Sequence, residues 1–167
     1  RAMNDRIVRV ARAVADVPRE AWNACAGTAN PFVGWDFLTA LERSGSVGEG
    51  TGWQPLPLLL EDGEGRLLGA APAYGKSHSQ GEYVFDHGWA DAWERAGGRY
   101  YPKIQVAVPF SPVPGPRLLL RDPADAPAMI AGIAALVDQN GLAAAHATFV
   151  EEAQLPAFEA AGWLIRE

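Results

Sequence analysis

The sequence predicts an α+β domain with a mixed, mostly antiparallel sheet flanked by helices, and three observations predict it. Two apolar runs, "WQPLPLLLED" and "RLLGAAPAYGKS", flank Asp62-Gly63-Glu64-Gly65, the pattern of an antiparallel hairpin closed by a turn. The segment "KIQVAVP" puts Ile104, Val106 and Val108 on one face and is followed by a loop, a helix and another short apolar segment. That is the order of a strand–helix–strand crossover, which supplies the parallel pairing of a mixed sheet. Apolar residues recur at helical spacing in several other segments, which supplies the flanking layers.

The elements follow in order. "RIVRVARAV" alternates Val8 and Val10 with Arg9 and predicts a first strand. "PREAWNACAG" predicts a helix with Pro18 in its first turn and Gly27 at its end. A second helix carries Trp35, Leu38 and Leu41 and stops at Ser44-Gly45. After the connector "SVGEGTG" comes the hairpin. Phe85, Trp89 and Trp93 at i, i+4, i+8 predict a helix from about Gly88, ended by Gly97-Gly98. "DAPAMIAGIAALVDQNG" predicts a helix capped by Asp125, with Ile130, Ile133 and Val137 inward and Asn140-Gly141 as its stop. "LAAAHATFV" is expected to be a strand, "QLPAFEAAGW" a short helix, and "WLIRE" the beginning of one more strand.

At 167 residues, with 49% hydrophobic and 20% charged content, the chain has the makeup of one globular domain with its own core. A net charge of −6 without a basic run argues against nucleic-acid or membrane-surface binding, both of which need clustered Lys and Arg. No DNA partner is expected. No stretch approaches the roughly 20 apolar residues that span a bilayer, and the N-terminal segment lacks an uninterrupted apolar signal core. The single cysteine, Cys25, has no internal disulfide partner and reads as a small core residue. No CxxC, HExxH or similar metal-ligand spacing occurs, so no metal is expected. A reducing compartment, the cytoplasm, is the expected address.

The crossover loop, "PFSPVPGPR", holds four prolines in nine residues. Each lacks a backbone N–H and fixes φ, so the segment can continue neither sheet nor helix. Pro112, Pro114 and Pro116 remove every second donor, leaving Ser111, Val113, Gly115 and Arg117 as the N–H groups within the core of the loop. A phosphate cradle needs successive N–H groups beside a helix N-terminus. Here "RLLLRDPADAP" separates loop from helix, so the loop is predicted to be a pre-organised wall of a substrate cleft and not a phosphate seat.

The element order resembles the GNAT acyltransferase fold, in which this loop cradles the pyrophosphate of an acyl-CoA. A more specific resemblance rests on "TGWQPLPLLLED" and on "GAAPAYGKSHSQGEYVFDHGWADAWERAGGRYYPKIQVAVPFSPVPGPR". These strings are similar to the FemAB-like, GNAT-type predicted N-acyltransferases, also called peptidoglycan biosynthesis/recognition proteins. The resemblance runs from about Asn30 to the C-terminus. It implies a GNAT-like domain over residues 1–167, the N-terminal half of a longer two-domain protein, with the isolated half inactive. The activity implied is transfer of an acyl or aminoacyl group to an amine acceptor. No tightly bound cofactor is implied; acyl-CoA or aminoacyl-tRNA is the possible donor substrate. The partners implied are a small-molecule or peptide acceptor and the other half, or self-association through the surface that half would cover. The alternatives are a non-catalytic module that recognises a peptide or glycopeptide, and a purely structural half.

Several residues are candidates for that chemistry. In "KSHSQGEYVFDHGWADA", His87 or Asp86 could act as general base, with Tyr83 and Trp89 holding substrate. The plainer reading makes Asp86 a helix cap and the aromatics core. Tyr100 and Tyr101 precede the strand on which Lys103 and Gln105 share the face opposite Ile104. Lys103 could meet an anion or be solvated. Ser111 and Arg117 are the polar groups of the loop, and Arg117 could bind an anion bidentately or cover the loop. His146 shares one strand face with Thr148, either as a base in the cleft or as a hydrogen-bonded structural histidine. The cleft hypothesis requires Lys103, Gln105, Ser111, Arg117 and His146 to converge.

Overall fold

The computed structural model describes residues 5–76 and 102–166. The helix expected from Gly88, and with it Tyr83, Asp86, His87, Trp89, Tyr100 and Tyr101, lies outside the described residues.

The architecture is mixed α and β. Strands β1 (Ile7–Val10), β3 (Leu58–Glu61), β4 (Leu67–Ala71) and β7 (Leu119–Leu120) form one sheet in the order β1-β3-β4-β7. Strands β2 (Trp53–Pro55), β5 (Ala73–Lys76), β6 (Lys103–Val106) and β8 (Ala144–Ala147) form a second in the order β2-β5-β6-β8. Among these pairings only β6 with β8 is parallel.

The predicted hairpin is the spine of both sheets. A bulge shifts its register between Leu60 and Glu61, beside the turn; beyond it one register runs through both sheets: Leu60↔Gly69 and Leu58↔Ala71 in the first, Pro55↔Tyr74 and Trp53↔Lys76 in the second. Pro55, Pro57 and Pro72 interrupt the ladder where the sheets meet, because proline donates no hydrogen bond. Leu56 N–H to Ala73 O at 2.8 Å and Ala107 N–H to Pro72 O at 3.0 Å carry the pairing across the break. With side chains alternating at period two, Trp53, Leu59, Ala70, Tyr74 and Lys76 lie on one face of the hairpin. Leu58, Leu60, Ala71 and Ala73 lie on the other.

Helices α1 (Arg19–Ala26) and α2 (Trp35–Arg43) cover the Leu59 and Ala70 side of the first sheet. Helix α1 ends at Gly27, whose φ of 71° suits glycine. The two helices are fixed by indole donors: Trp22 Nε1 to Val33 O and Trp35 Nε1 to Val17 O, each 2.9 Å. Glu42 on α2 accepts from the N–H groups of Val14 (2.7 Å) and Ala15 (3.1 Å).

Helix α3 (Ala126–Gln139) packs Met129, Ile130 and Ile133 against Leu58, Leu60, Ile104 and Val106, closing a core on the opposite face. Gly132 is needed here, since a Cβ would stand 2.5 Å from Val8 Cγ1. Helix α4 (Leu155–Ala160) adds Phe158 to the same core.

Three expectations are corrected. Asp125 sits at the N-cap of α3 without a capping bond; Arg6 Nε holds its carboxylate at 3.0 Å, and Asp122 caps the preceding turn through Ala124 N–H at 2.9 Å. The stretch between the proline loop and α3 contains β7, which crosses β4 so closely that a Cβ on Gly69 would meet Leu120 Cδ2 at 2.8 Å. Finally, residues 163–166 form no strand. The N–H of Trp163 donates to Phe158 O at 3.0 Å and its ring packs on Phe158 at 4.9 Å, so the indole completes the end of α4.

Candidate functional site

The hairpin face that is apolar in the first sheet becomes polar in the second. Cross-strand partners line up in two rows: Trp53, Lys76, Lys103, Ala144, and Pro55, Tyr74, Gln105, His146. Residues two apart on a strand share a face, so both rows belong to one surface, opposite the side on which Ile104 and Val106 meet α3. Lys76, Lys103, Gln105 and Tyr74 are all at most 1% exposed, whereas His146 on β8 is half-buried. The rows therefore open toward β8.

Trp53 organises one end. The Lys76 Nζ lies 3.6 Å from its ring centroid, a cation–π arrangement, and Tyr74 meets it edge-on at 5.4 Å. Phe110, from the proline loop, packs on it at 5.5 Å. Lys76 and Lys103 stand directly opposite each other, so both ammonium-bearing side chains belong to this face.

Among the described residues, two buried side-chain atoms on this face have no hydrogen-bond partner: Tyr74 Oη and Gln105 Oε1. Gln105 Nε2 donates to Thr148 Oγ1 at 3.0 Å. Turning the amide over would satisfy Thr148 equally well and leave Nε2 unpartnered instead, so one heteroatom of Gln105 is unmatched either way. An unmade bond of this kind costs about 1–3 kcal/mol in a folded protein. Burial, with the Glu42 carboxylate adding to it, holds the Tyr74 phenol far above its usual range. It is a neutral hydroxyl at any physiological pH.

The proline loop is stitched in place by its own donors. Ser111 N–H reaches Val108 O (3.4 Å), Val113 N–H reaches Ser111 Oγ (3.4 Å), Gly115 N–H reaches Phe149 O (3.0 Å) and Arg117 N–H reaches Gln154 Oε1 (2.8 Å). The four N–H groups of the loop's core, from Ser111 to Arg117, are thus committed inside the protein. Gly115 O in turn accepts from Glu151 N–H at 3.0 Å, forming a short parallel bridge beyond β8. Among the described residues, Phe110 and Phe149, with φ of 60° and 52°, are the non-glycine residues at positive φ, one in the loop after β6 and one just past β8.

Of the residues the sequence nominated, Lys103, Gln105 and His146 come together on the polar face. Arg117 does not join them: it is fully buried and its guanidinium donates to Thr148 O (2.8 Å), Val113 O (3.1 Å) and Pro116 O (3.2 Å). Burial, opposed by Glu151, pushes its pKa down to about 10, so it stays cationic. Ser111, likewise buried, turns its hydroxyl to the loop. Cys25 is buried in the core as expected, and burial raises its thiol above the usual range. Two clefts lie elsewhere, one between β1 and α3 and one among Cys25, Leu118 and Gln154; they contain none of the nominated residues.

Sequence reasoning missed Trp53 and Tyr74 as site residues. The signal was present in the hairpin, since counting outward from its turn places both on the face that also carries Lys76. Among the described residues no helix is long and apolar enough to cross a membrane.

No curated protein and no solved structure matches the chain. A family model does: FemAB-like, described as peptidoglycan biosynthesis/recognition, matches residues 13–167. A match over nearly the whole sequence, across both sheets and the polar face between β2 and β8, settles the family. The chain belongs to the FemAB-like family of peptidoglycan biosynthesis/recognition proteins.

Proposed function

We propose that the polar face of the second sheet is the acceptor side of an N-acyltransferase of GNAT type, which transfers an acyl or aminoacyl group to an amine in peptidoglycan-related metabolism. The observation that carries this reading is the placement of His146. It is half-buried on the strand parallel to β6, in register with Gln105, on a face that is otherwise buried and polar. An amine attacks an acyl carbon only as the free base. In this reading the His146 imidazole takes the amine's proton as the new C–N bond forms, and the carrier's bond to the acyl group breaks. Positive charge from Lys76 and Lys103 favours the oxygen anion of the tetrahedral intermediate.

The committed N–H groups of the proline loop favour a donor gripped outside that loop, whether the donor is an acyl-CoA or an aminoacyl-tRNA. A second GNAT-like half would complete the cleft. His87 and Asp86 are the competing bases.

The test is transfer of a labelled acyl or aminoacyl group to an amine-bearing muropeptide by the full-length protein. His146→Ala should lower turnover by about a hundredfold or more with folding intact, and His87→Ala should not. Saturable muropeptide binding without transfer from either donor would replace this reading with that of a recognition module.

A further inference from the structure

The proline loop shows solvent a surface that its internal bonding does not explain. Ser111 N–H reaches Val108 O and closes a turn with Pro109 and Phe110 at its centre. A proline followed by a residue at φ 60° is the type II pattern, whose second central position favours glycine or asparagine. The sequence places a phenylalanine there, against the backbone's preference, and leaves its ring 43% exposed. Trp53 packs on the ring at 5.5 Å and fixes its direction, and the prolines fix the backbone that follows. Pro112, Val113 and Pro114 are exposed as well. The polar groups of this surface are one-sided. The N–H groups of Ser111, Val113 and Gly115 turn inward. Arg117 takes up the carbonyls of Val113 and Pro116, and among the described residues no donor is bonded to those of Pro112 and Pro114.

We propose that this ledge, the Phe110 ring with the exposed backbone from Pro112 to Pro114, is a subsite for a pyranose sugar. One face of a pyranose carries C–H bonds of slight positive charge, which suit the negative face of an aromatic ring. Its rim carries hydroxyls that donate to open carbonyls. An acyl chain is apolar all round and gains little from a half-exposed ring, and neither cleft described above includes Phe110. A nucleotide base is flat too, but its phosphates would meet carbonyls, with no N–H left between Ser111 and Arg117 to receive them. Because the loop is already rigid, little conformational freedom is lost on binding. The subsite adjoins the polar face through Trp53 but uses no step of the transfer reaction.

Methyl β-D-glucopyranoside, titrated into the labelled protein and followed by NMR, should give saturable shifts at Phe110 and Val113 at tens of millimolar. Adenosine, 1-butanol and inorganic phosphate at the same concentrations should give none. Phe110→Leu keeps the left-handed backbone and an apolar contact on Trp53 but loses the ring face, and should weaken the glucoside by about fivefold or more. Phe110→Tyr keeps the ring face and should bind as the parent does. Phe110→Gly should bind no better than Phe110→Ala although it folds more stably, an order that a purely structural role would reverse. No saturable shift with the glucoside, parental affinity in Phe110→Leu, or saturation of the loop by adenosine, butanol or phosphate in place of the glucoside would overturn the subsite.

Turnover separates the subsite from the transferase. Transfer by a protein that binds no glucoside sinks the subsite and leaves the transferase. Glucoside binding that falls in Phe110→Leu, in a protein that transfers from neither donor, sinks the transferase and leaves the subsite.

Discussion

Leu59 and Tyr74 occupy the same face of the same hairpin and are equally buried, at 1% each, yet they serve opposite ends. Leu59 joins Trp22, Leu38 and Cys25 in an apolar core under α1 and α2. Tyr74, a few residues along the partner strand and past Pro72, meets Trp53 and carries a hydroxyl with no partner. The first sheet buries an apolar core on each face, with the Arg9–Glu61 ion pair at the margin of one. The second is apolar toward α3 and polar away from it. Where buried polarity replaces buried hydrocarbon without completing its hydrogen bonds, stability has been given up locally, and such places are where ligands act.

Four measurements sharpen or break this contrast. The largest effect is expected at the apolar end: Leu59→Ala leaves a cavity in a tight core and should cost about 4 kcal/mol in urea unfolding. A loss similar to that of an exposed leucine would show that the first sheet is not the stabilising half. Arg117→Ala comes next. It strips the donor from two loop carbonyls and from Thr148 O just past β8 and should cost about 3 kcal/mol, with amide exchange accelerated at Gly115 and Glu151. Unchanged exchange there would mean that the prolines hold the loop by themselves.

At Phe110 the backbone sits at φ 60°. Both Phe110→Ala and Phe110→Gly lose the contact with Trp53, but only alanine keeps the left-handed strain. The glycine variant should therefore be the more stable of the two by about 0.5–1 kcal/mol, and the reverse order would remove strain from the account.

The smallest effect is at the hairpin turn, far from the polar face. Asp62 accepts from the N–H groups of Glu64 and Arg66, which lower its pKa. A carboxylate with a depressed folded-state pKa contributes fully above its unfolded pKa, and the contribution disappears as pH falls through the folded value. Asp62→Asn should therefore flatten the acid limb of the stability profile below about pH 4 and leave the neutral midpoint little changed. An acid limb identical to the parent's would show the turn contributes no pH dependence.

Much of the fold could be read from the chain because its signals are local. The turn Asp62–Gly65, the helices ending at Gly27 and Ser44, and the alternation of Ile104 with Gln105 each depend on neighbours in sequence. β7 could not be read, because Leu119 and Leu120 become a strand only by lying against Ala70 and Gly69, a contact made across some fifty positions. Trp163-Leu164-Ile165 has strand composition, but Phe158 captures the indole first. In the site, alternation correctly grouped Lys103, Gln105 and His146. Arg117 was read as a possible anion receptor because proline was considered only as the loss of donors. Proline keeps its carbonyl, so a proline-rich loop has more acceptors than donors, and the guanidinium beside it supplies the deficit.

One further consequence follows from the single register that the hairpin keeps from Leu60 to Trp53, beyond the bulge beside its turn. A single-residue slip in strand pairing turns every side chain to the other face, and here one ribbon serves two sheets. A misregistered chain would expose Leu58 and Leu60 at one end in the same movement that buried Lys76 and Tyr74 against α3 at the other. No arrangement with a correct core and a scrambled polar face is open to it. The turn at Asp62–Gly65 and the bulge beside it thereby proofread the chemistry at a distance: a molecule that has closed its hydrophobic half correctly has already aimed the residues of the other.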